Sequence, residues 1–190
     1  SALDDDEIRA LLSGGAILDG ESAGILHRRG FGDWIGCTVR PAVDREADAY
    51  AIEEVTAPVA GIRRGFYLNA NLVPRMVPIE PHRQAVEWSR ILRPDGSRFG
   101  AALTLFRNRM GGRVVTYATP NPAALAGHDV RRLLAQAAVR WAGGGRGTSA
   151  DVRGGPYLIP MHFRRGAQTR LVIYNGGVDP APALFTAPRG

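Results

Sequence analysis

"DDDEIRALLSGGAILDGESAGIL", residues 4–26, decides how this chain is read. The run Asp4-Asp5-Asp6 supplies an N-cap and suits the positive end of a helix. Ile8, Leu11 and Leu12 follow at helical spacing and make one apolar stripe. Gly14-Gly15 ends that helix. "AIL" is then a short buried strand, and a second helix runs from Asp19 as N-cap to Gly30 as C-cap. A helix, a very short apolar strand and a helix in 23 residues describe a small α/β unit.

The same stretch holds Gly20-Glu21-Ser22-Ala23-Gly24, a literal G-x-S-x-G. In α/β-hydrolases this pattern places a serine at the apex of a sharp strand-to-helix turn, with one oxyanion donor from an upstream loop. A helix and one short strand fill the residues before Ser22, which leaves no room for that loop. His27 lies on the same helix and cannot turn back to act as base. His128 or His162 would have to serve, oriented by Asp129, Asp151 or Asp179, and nothing in the sequence selects among them. Ser22 is therefore read as a small residue in the first turn of a helix. A stand-alone hydrolase or amidotransferase-like enzyme using Ser22 or Cys37 stays open as the alternative.

Cys37 is the only cysteine, so there is no disulfide framework and no cysteine-based zinc site. "DWIGCTVR", residues 33–40, reads as an extended piece, which favours a small buried thiol over a nucleophile.

The 190 residues are 45% hydrophobic and 22% charged, a globular composition. No apolar run approaches the length of a membrane span, and the acidic N-terminal stretch is not a signal peptide. A soluble protein, cytoplasmic rather than secreted, is the expectation. The formal net charge is +6, and all 24 basic residues are arginine. With the abundant Ala, Gly and Pro, this is the mark of a GC-rich genome. Arg28-Arg29, Arg63-Arg64, Arg131-Arg132 and Arg164-Arg165 are scattered rather than gathered on one face, and aromatics make up 7%, so no nucleic-acid partner is expected.

Further along, "YAIEEVT" alternates like a strand and "MVPIEP" is extended between prolines, while residues 65–75 carry no assignable pattern. Three strands follow, at 85–92, 100–106 and 113–118, joined by turns at "RPDGS" and "RNRMGG". "DVRRLLAQAAVRWAGG" is a helix capped by Asp129, with a stripe of Val130, Leu133, Leu134, Ala137, Ala138 and Trp141. The domain reading is an α/β module over 1–144, a Gly-rich linker over 145–156, and a segment of β-strands over 157–190 that turns at Arg165-Gly166 and opens a further β domain.

Other chemistry is thin. "GGGRGT" at 143–148 follows a helix rather than a strand, so its amides open no helix N-terminus toward a phosphate. Glu53 and Glu54 are neighbours in a strand and point to opposite faces, which does not suit the paired carboxylates of glycoside hydrolysis. Glu80 and Glu87 read as surface residues. The histidines at 27, 82, 128 and 162 lack ligand spacing. Trp34, Trp88 and Trp141 sit in apolar contexts and read as core; a carbohydrate-binding module would instead need them in an exposed coplanar row. No catalytic, cofactor-binding or metal-binding residue is assigned, and no cofactor is expected.

Two stretches nonetheless resemble a known module. "DDDEIRALLSGGAILDGESAGILHRRGFGDWIGCTV" and "ALTLFRNRMGGRVVTYATPNPAALAGHDVRRLLAQAAVRWAGG" are similar to the middle domain of family 42 β-galactosidases, often called the trimerisation domain. "HFRRGAQTRLVIYNGGVDPAP" is similar to the opening strands of the β-sandwich that follows it. The resemblance implies a partial flavodoxin-like (class I glutamine amidotransferase-like) three-layer α/β module with a mixed sheet, followed by a few β-strands. It also implies a fragment of a longer protein whose catalytic glutamates lie in a (β/α)8 barrel. Its partners would be that barrel, a second copy of the chain, or both, and its parent's substrate a carbohydrate. The stretch 41–81 has no counterpart in the resemblance.

Overall fold

The computed structural model describes residues 3–44, 49–70, 73–120, 128–145, 151–153, 158–165, 168–175, 182 and 184–186. The chain divides into two compact units, Ser1–Gly144 and Gly145–Gly190.

The first unit opens with α1 (Asp5–Gly14), β1 (Ala16–Leu18) and α2 (Gly20–Leu26), in the predicted order, but β1 is not a buried strand: only Leu18 is buried, and Ile17 is 47% exposed. Asp4 is the N-cap of α1: its carboxylate accepts from the backbone N–H of Asp6 and Glu7, and the Glu7 side chain accepts from Asp4 N–H, completing a capping box. The predicted stripe is corrected at one position. Ile8 and Leu12 are buried, whereas Leu11 is 48% exposed. Asp19 caps α2 by accepting from Ser22 N–H at 2.7 Å.

The helix does not stop cleanly at Gly30. It passes into a π-type turn (His27–Phe31) and then a four-residue helix, α3 (Gly32–Ile35). Gly30 sits at φ 85°, ψ 12°, a left-handed conformation that breaks the helical path between the two segments. This corrects the reading of 33–40 as extended: Asp33, Trp34 and Ile35 are helical, and only β2 (Cys37–Val39) is strand.

The remaining strands of this unit are β3 (Val43–Asp44), β4 (Ile52–Val55), β5 (Tyr67–Asn69), β6 (Arg75–Met76), β7 (Ile79–Pro81), β8 (Val86–Leu92), β9 (Arg98–Arg107) and β10 (Arg113–Tyr117). The unassigned stretch 65–75 thus contributes β5 and the start of β6. One eight-stranded sheet runs β1-β10-β9-β8-β4-β5, with β7 joining at β9 and β2 pairing β7; β3 and β6 pair separately. The β1–β10 pair is parallel and the other pairs are antiparallel, so the sheet is mixed. The parallel β1–β10 pair joins strands far apart in the chain, whereas the antiparallel β8–β10 meander needs only tight turns.

Alternation along β10 separates two cores. Val114 and Ala118 pack with Ile8, Leu12, Ala23 and Ile35 from α1–α3. Val115 and Tyr117 pack with Leu134 and Ala138 of α4 (Asp129–Ala142). The unit is a three-layer α/β module: helices, mixed sheet, helix. Two details of α4 differ from expectation. Its N-cap is His128, whose Nδ1 accepts from Val130 N–H, while Asp129 is the first helical residue and pairs with Arg132. Leu133 is 37% exposed, and Arg131 is buried in its place.

The second unit holds β11 (Asp151–Arg153), β12 (Leu158–Arg165), β13 (Gln168–Asn175) and β14 (Leu184–Thr186). β12 and β13 form an antiparallel pair from Leu158↔Asn175 to Arg165↔Gln168, and β11 pairs antiparallel with β14. Gly166 of the expected turn lies outside the described residues. No described helix is long and apolar enough to cross a membrane.

A buried arginine–carboxylate centre as the candidate functional site

Period-two alternation in β4 sends Glu53 and Val55 to the α4 side of the sheet and Glu54 to the other. Glu53 therefore meets Arg131, which projects from the first turn of α4. Their side chains are 9% and 8% exposed. Arg131 Nε donates to Glu53 Oε2 at 2.9 Å, and Ser89 Oγ donates to Glu53 Oε1 at 2.7 Å. Arg131 Nη2 donates to the Asn69 carbonyl at 2.7 Å. Burying two ions costs several kcal/mol each, and only good geometry with further hydrogen bonds offsets it. This site has both, and it ties α4 to β4, β5 and β8.

Glycoside hydrolysis needs two carboxyl groups facing one another across a bond, one of them able to carry a proton. Glu53 is engaged on both oxygens. Glu54 lies on the opposite face, paired with Arg90 at 2.8 Å, and Glu80 and Glu87 share Arg98. The expectation for Glu53 and Glu54 holds in its geometry; the role of Glu53 lies in a partner the sequence reading passed over. Arg131 stands three residues before Leu134 and seven before Ala138, on the buried phase of the helix. A lone charge on an apolar phase was the legible signal.

Beside this pair lies a cleft with an interior of about 20 Å³, lined by Glu53, Arg131, Tyr117, Thr119, Met76 and Ile91 among others. It has room for roughly one water, whereas small-molecule sites begin at about 300 Å³.

The candidate nucleophiles are apart from this centre. Ser22 is the third residue of α2, not the apex of the turn, and Ala60 is the only non-glycine described residue with positive φ. The strained elbow conformation is absent at Ser22. Ser22→Ala is expected to change stability by less than ~1 kcal/mol, because the backbone N–H still reaches Asp19 and alanine favours helix. Asp19→Ala is expected to cost about 1 kcal/mol through loss of the cap. Chemical denaturation of the two variants checks the contrast.

Cys37 is fully buried in β2. Burial pushes its thiol up to about 12 from an ordinary 9.0, against a smaller opposing effect of the Thr116 hydroxyl. At pH 8 about one thiol in 10⁴ would be ionised, so iodoacetamide is expected to leave Cys37 unmodified in the native protein and to alkylate it in denaturant. Burial, and secondarily the charge of Glu53, raise Tyr117 as well. Both groups keep their protons in the folded state at a pH where the unfolded chain has lost them. The stability they contribute is present below about pH 9 and is lost as pH rises above it. A denaturation series from pH 7 to 11 should show that decline.

His82 Nδ1 stands 3.9 Å from the Asp33 carboxylate, the His27 ring lies beside Gly32, and His128 caps α4. Among the described residues, no hydrogen bond joins a histidine to Ser22 or Cys37, and no cluster of three His, Cys, Asp or Glu could hold a metal. The side chains of His162 and Asp151, and Asp179 entirely, lie outside the described residues. Trp34 packs on the α1–α3 side with Phe31 at 6.4 Å, while Trp88 and Trp141 pack on the α4 side. The three half-buried rings do not form one row.

No known family and no curated protein matches the sequence. Solved structures do share its fold. A β-galactosidase from Bacillus circulans sp. alkalophilus aligns over 80% of this chain and 20% of its own, at TM-score 0.52 and 12% identity. A catalytic mutant of a GH42 β-galactosidase from G. stearothermophilus aligns over 91% of this chain and 24% of its own, at TM-score 0.55 and 12% identity. The chain spans about a fifth to a quarter of the length of these enzymes, and at this identity the likeness is one of fold.

Proposed function

We propose that this chain is a non-catalytic accessory segment of a β-galactosidase-like glycoside hydrolase, packing against a catalytic barrel or mediating contacts between subunits. The observation that carries this reading is the fold match over 91% of the chain to under a quarter of a GH42 β-galactosidase. The neutralised carboxylates support it. Glu53, Glu54, Glu80 and Glu87 are each held by an arginine, which suits a scaffold. The conformation of Ser22 and the burial of Cys37 weigh against the stand-alone hydrolase.

The purified chain should release no nitrophenol from nitrophenyl β-galactosides or nitrophenyl esters above the blank. Turnover abolished by Ser22→Ala or Cys37→Ala would replace this reading with the hydrolase.

A further inference from the structure

We propose that the cleft beside Glu53 is a structural water site, in which one buried water accepts from the Tyr117 hydroxyl and donates to the Glu53 carboxylate. Tyr117 ends β10 with its side chain on the α4 side and is 6% exposed. Its hydroxyl is buried and makes no hydrogen bond to any protein group. Buried hydroxyls are rarely left unpaired, because the loss of water is not compensated. The cleft that Tyr117 lines has the volume of a single water, and it is polar where Glu53 and Arg131 border it. Both conditions for a buried water are met: sufficient room and more than one polar partner. The charge of Glu53 acts on Tyr117, and no direct hydrogen bond joins the two side chains.

The position gives the site meaning. It lies at the carboxyl end of β10, lined also from β4, β6, β8 and β9 and by Arg131 in the first turn of α4. Open α/β sheets bind ligands at the carboxyl ends of their strands. Here Arg131, Glu53 and Met76 occupy that crevice, and the remaining room suits water and excludes a sugar ring. The inference stands on these residues alone and is independent of any parent enzyme.

Tyr117→Phe is the direct test, since it removes one oxygen and keeps the ring. If the hydroxyl is bridged by water, the midpoint of thermal unfolding should fall by about 2–4 °C, the effect of one lost buried hydrogen bond in a chain of this length. If the hydroxyl is simply unpaired, the variant should be unchanged or more stable, and the proposal is overturned. A crystal structure of the unmutated protein separates the two independently. An ordered water within hydrogen-bonding distance of both Tyr117 Oη and the Glu53 carboxylate supports the site. Density for no water there, or a direct Tyr117–Glu53 bond, contradicts it.

Discussion

Arg131→Ala should lower the free energy of unfolding by about 3–5 kcal/mol, measured by denaturant titration. The loss comes mostly from what is left behind. Glu53, buried in the intact protein, would keep its Ser89 bond but lose its counter-ion, and the Asn69 carbonyl would lose the bond from Arg131. Stabilities of single domains are about 5–15 kcal/mol, so this one truncation removes a large fraction of the total. The double variant Arg131→Met with Glu53→Leu should be much less affected than Arg131→Ala. Replacing both ions with apolar groups removes the desolvation cost together with the attraction. A double-mutant cycle then returns a coupling energy between the two sites. A near-zero coupling would mean that the two side chains do not form this pair in solution.

Gly112→Ala should be comparably damaging, with a loss of about 3 kcal/mol or more. A Cβ at Gly112 would lie 1.8 Å from the Leu12 carbonyl oxygen, a backbone atom with no rotamer to yield. The hairpin joining β9 and β10 is already fixed there. Asn108 donates to the Leu12 carbonyl at 2.8 Å, and its side-chain oxygen accepts from Gly112 N–H at 2.9 Å. Relief of the clash requires α1 to move off the sheet, which opens the core around Ile8 and Leu12. Gly111→Ala is a useful control, because that site has open space yet sits at φ 89°, so strain alone should cost about 1–2 kcal/mol. Equal losses at the two positions would argue against the close approach of α1 to the hairpin.

These two sites also mark what the sequence makes legible. The β8–β10 meander is readable because β9 and β10 are nearly unbroken apolar runs of five to ten residues and the turns between the strands carry Gly and Asp. The caps at Asp4 and Asp19 are readable because capping is local chemistry. α3 is not: four helical residues bracketed by Gly30 and Gly36 are too few to show a period, so Trp34-Ile35 passes for the start of a strand. β5 and β6 are two or three residues long and are held by partners distant in sequence, which no local pattern announces. The sequence points to Asp129 as the cap of α4 because a carboxylate is the commoner cap, whereas the imidazole of His128 takes that place. The buried centre is the hardest part. Glu53, Asn69, Ser89 and Arg131 come from four elements and converge only in three dimensions. The alternation that separates Glu53 from Glu54 is visible beforehand, but the identity of the Glu53 partner is not.

The central proposal, an accessory segment within a larger glycoside hydrolase, is tested most directly by the genomic reading frame that encodes this chain. An in-frame (β/α)8 barrel upstream of residue 1, of at least the ~250 residues typical of that fold and with two glutamates at the carboxyl ends of its strands, is the predicted result. A frame that opens immediately before this stretch, or that runs into an unrelated domain, would contradict it.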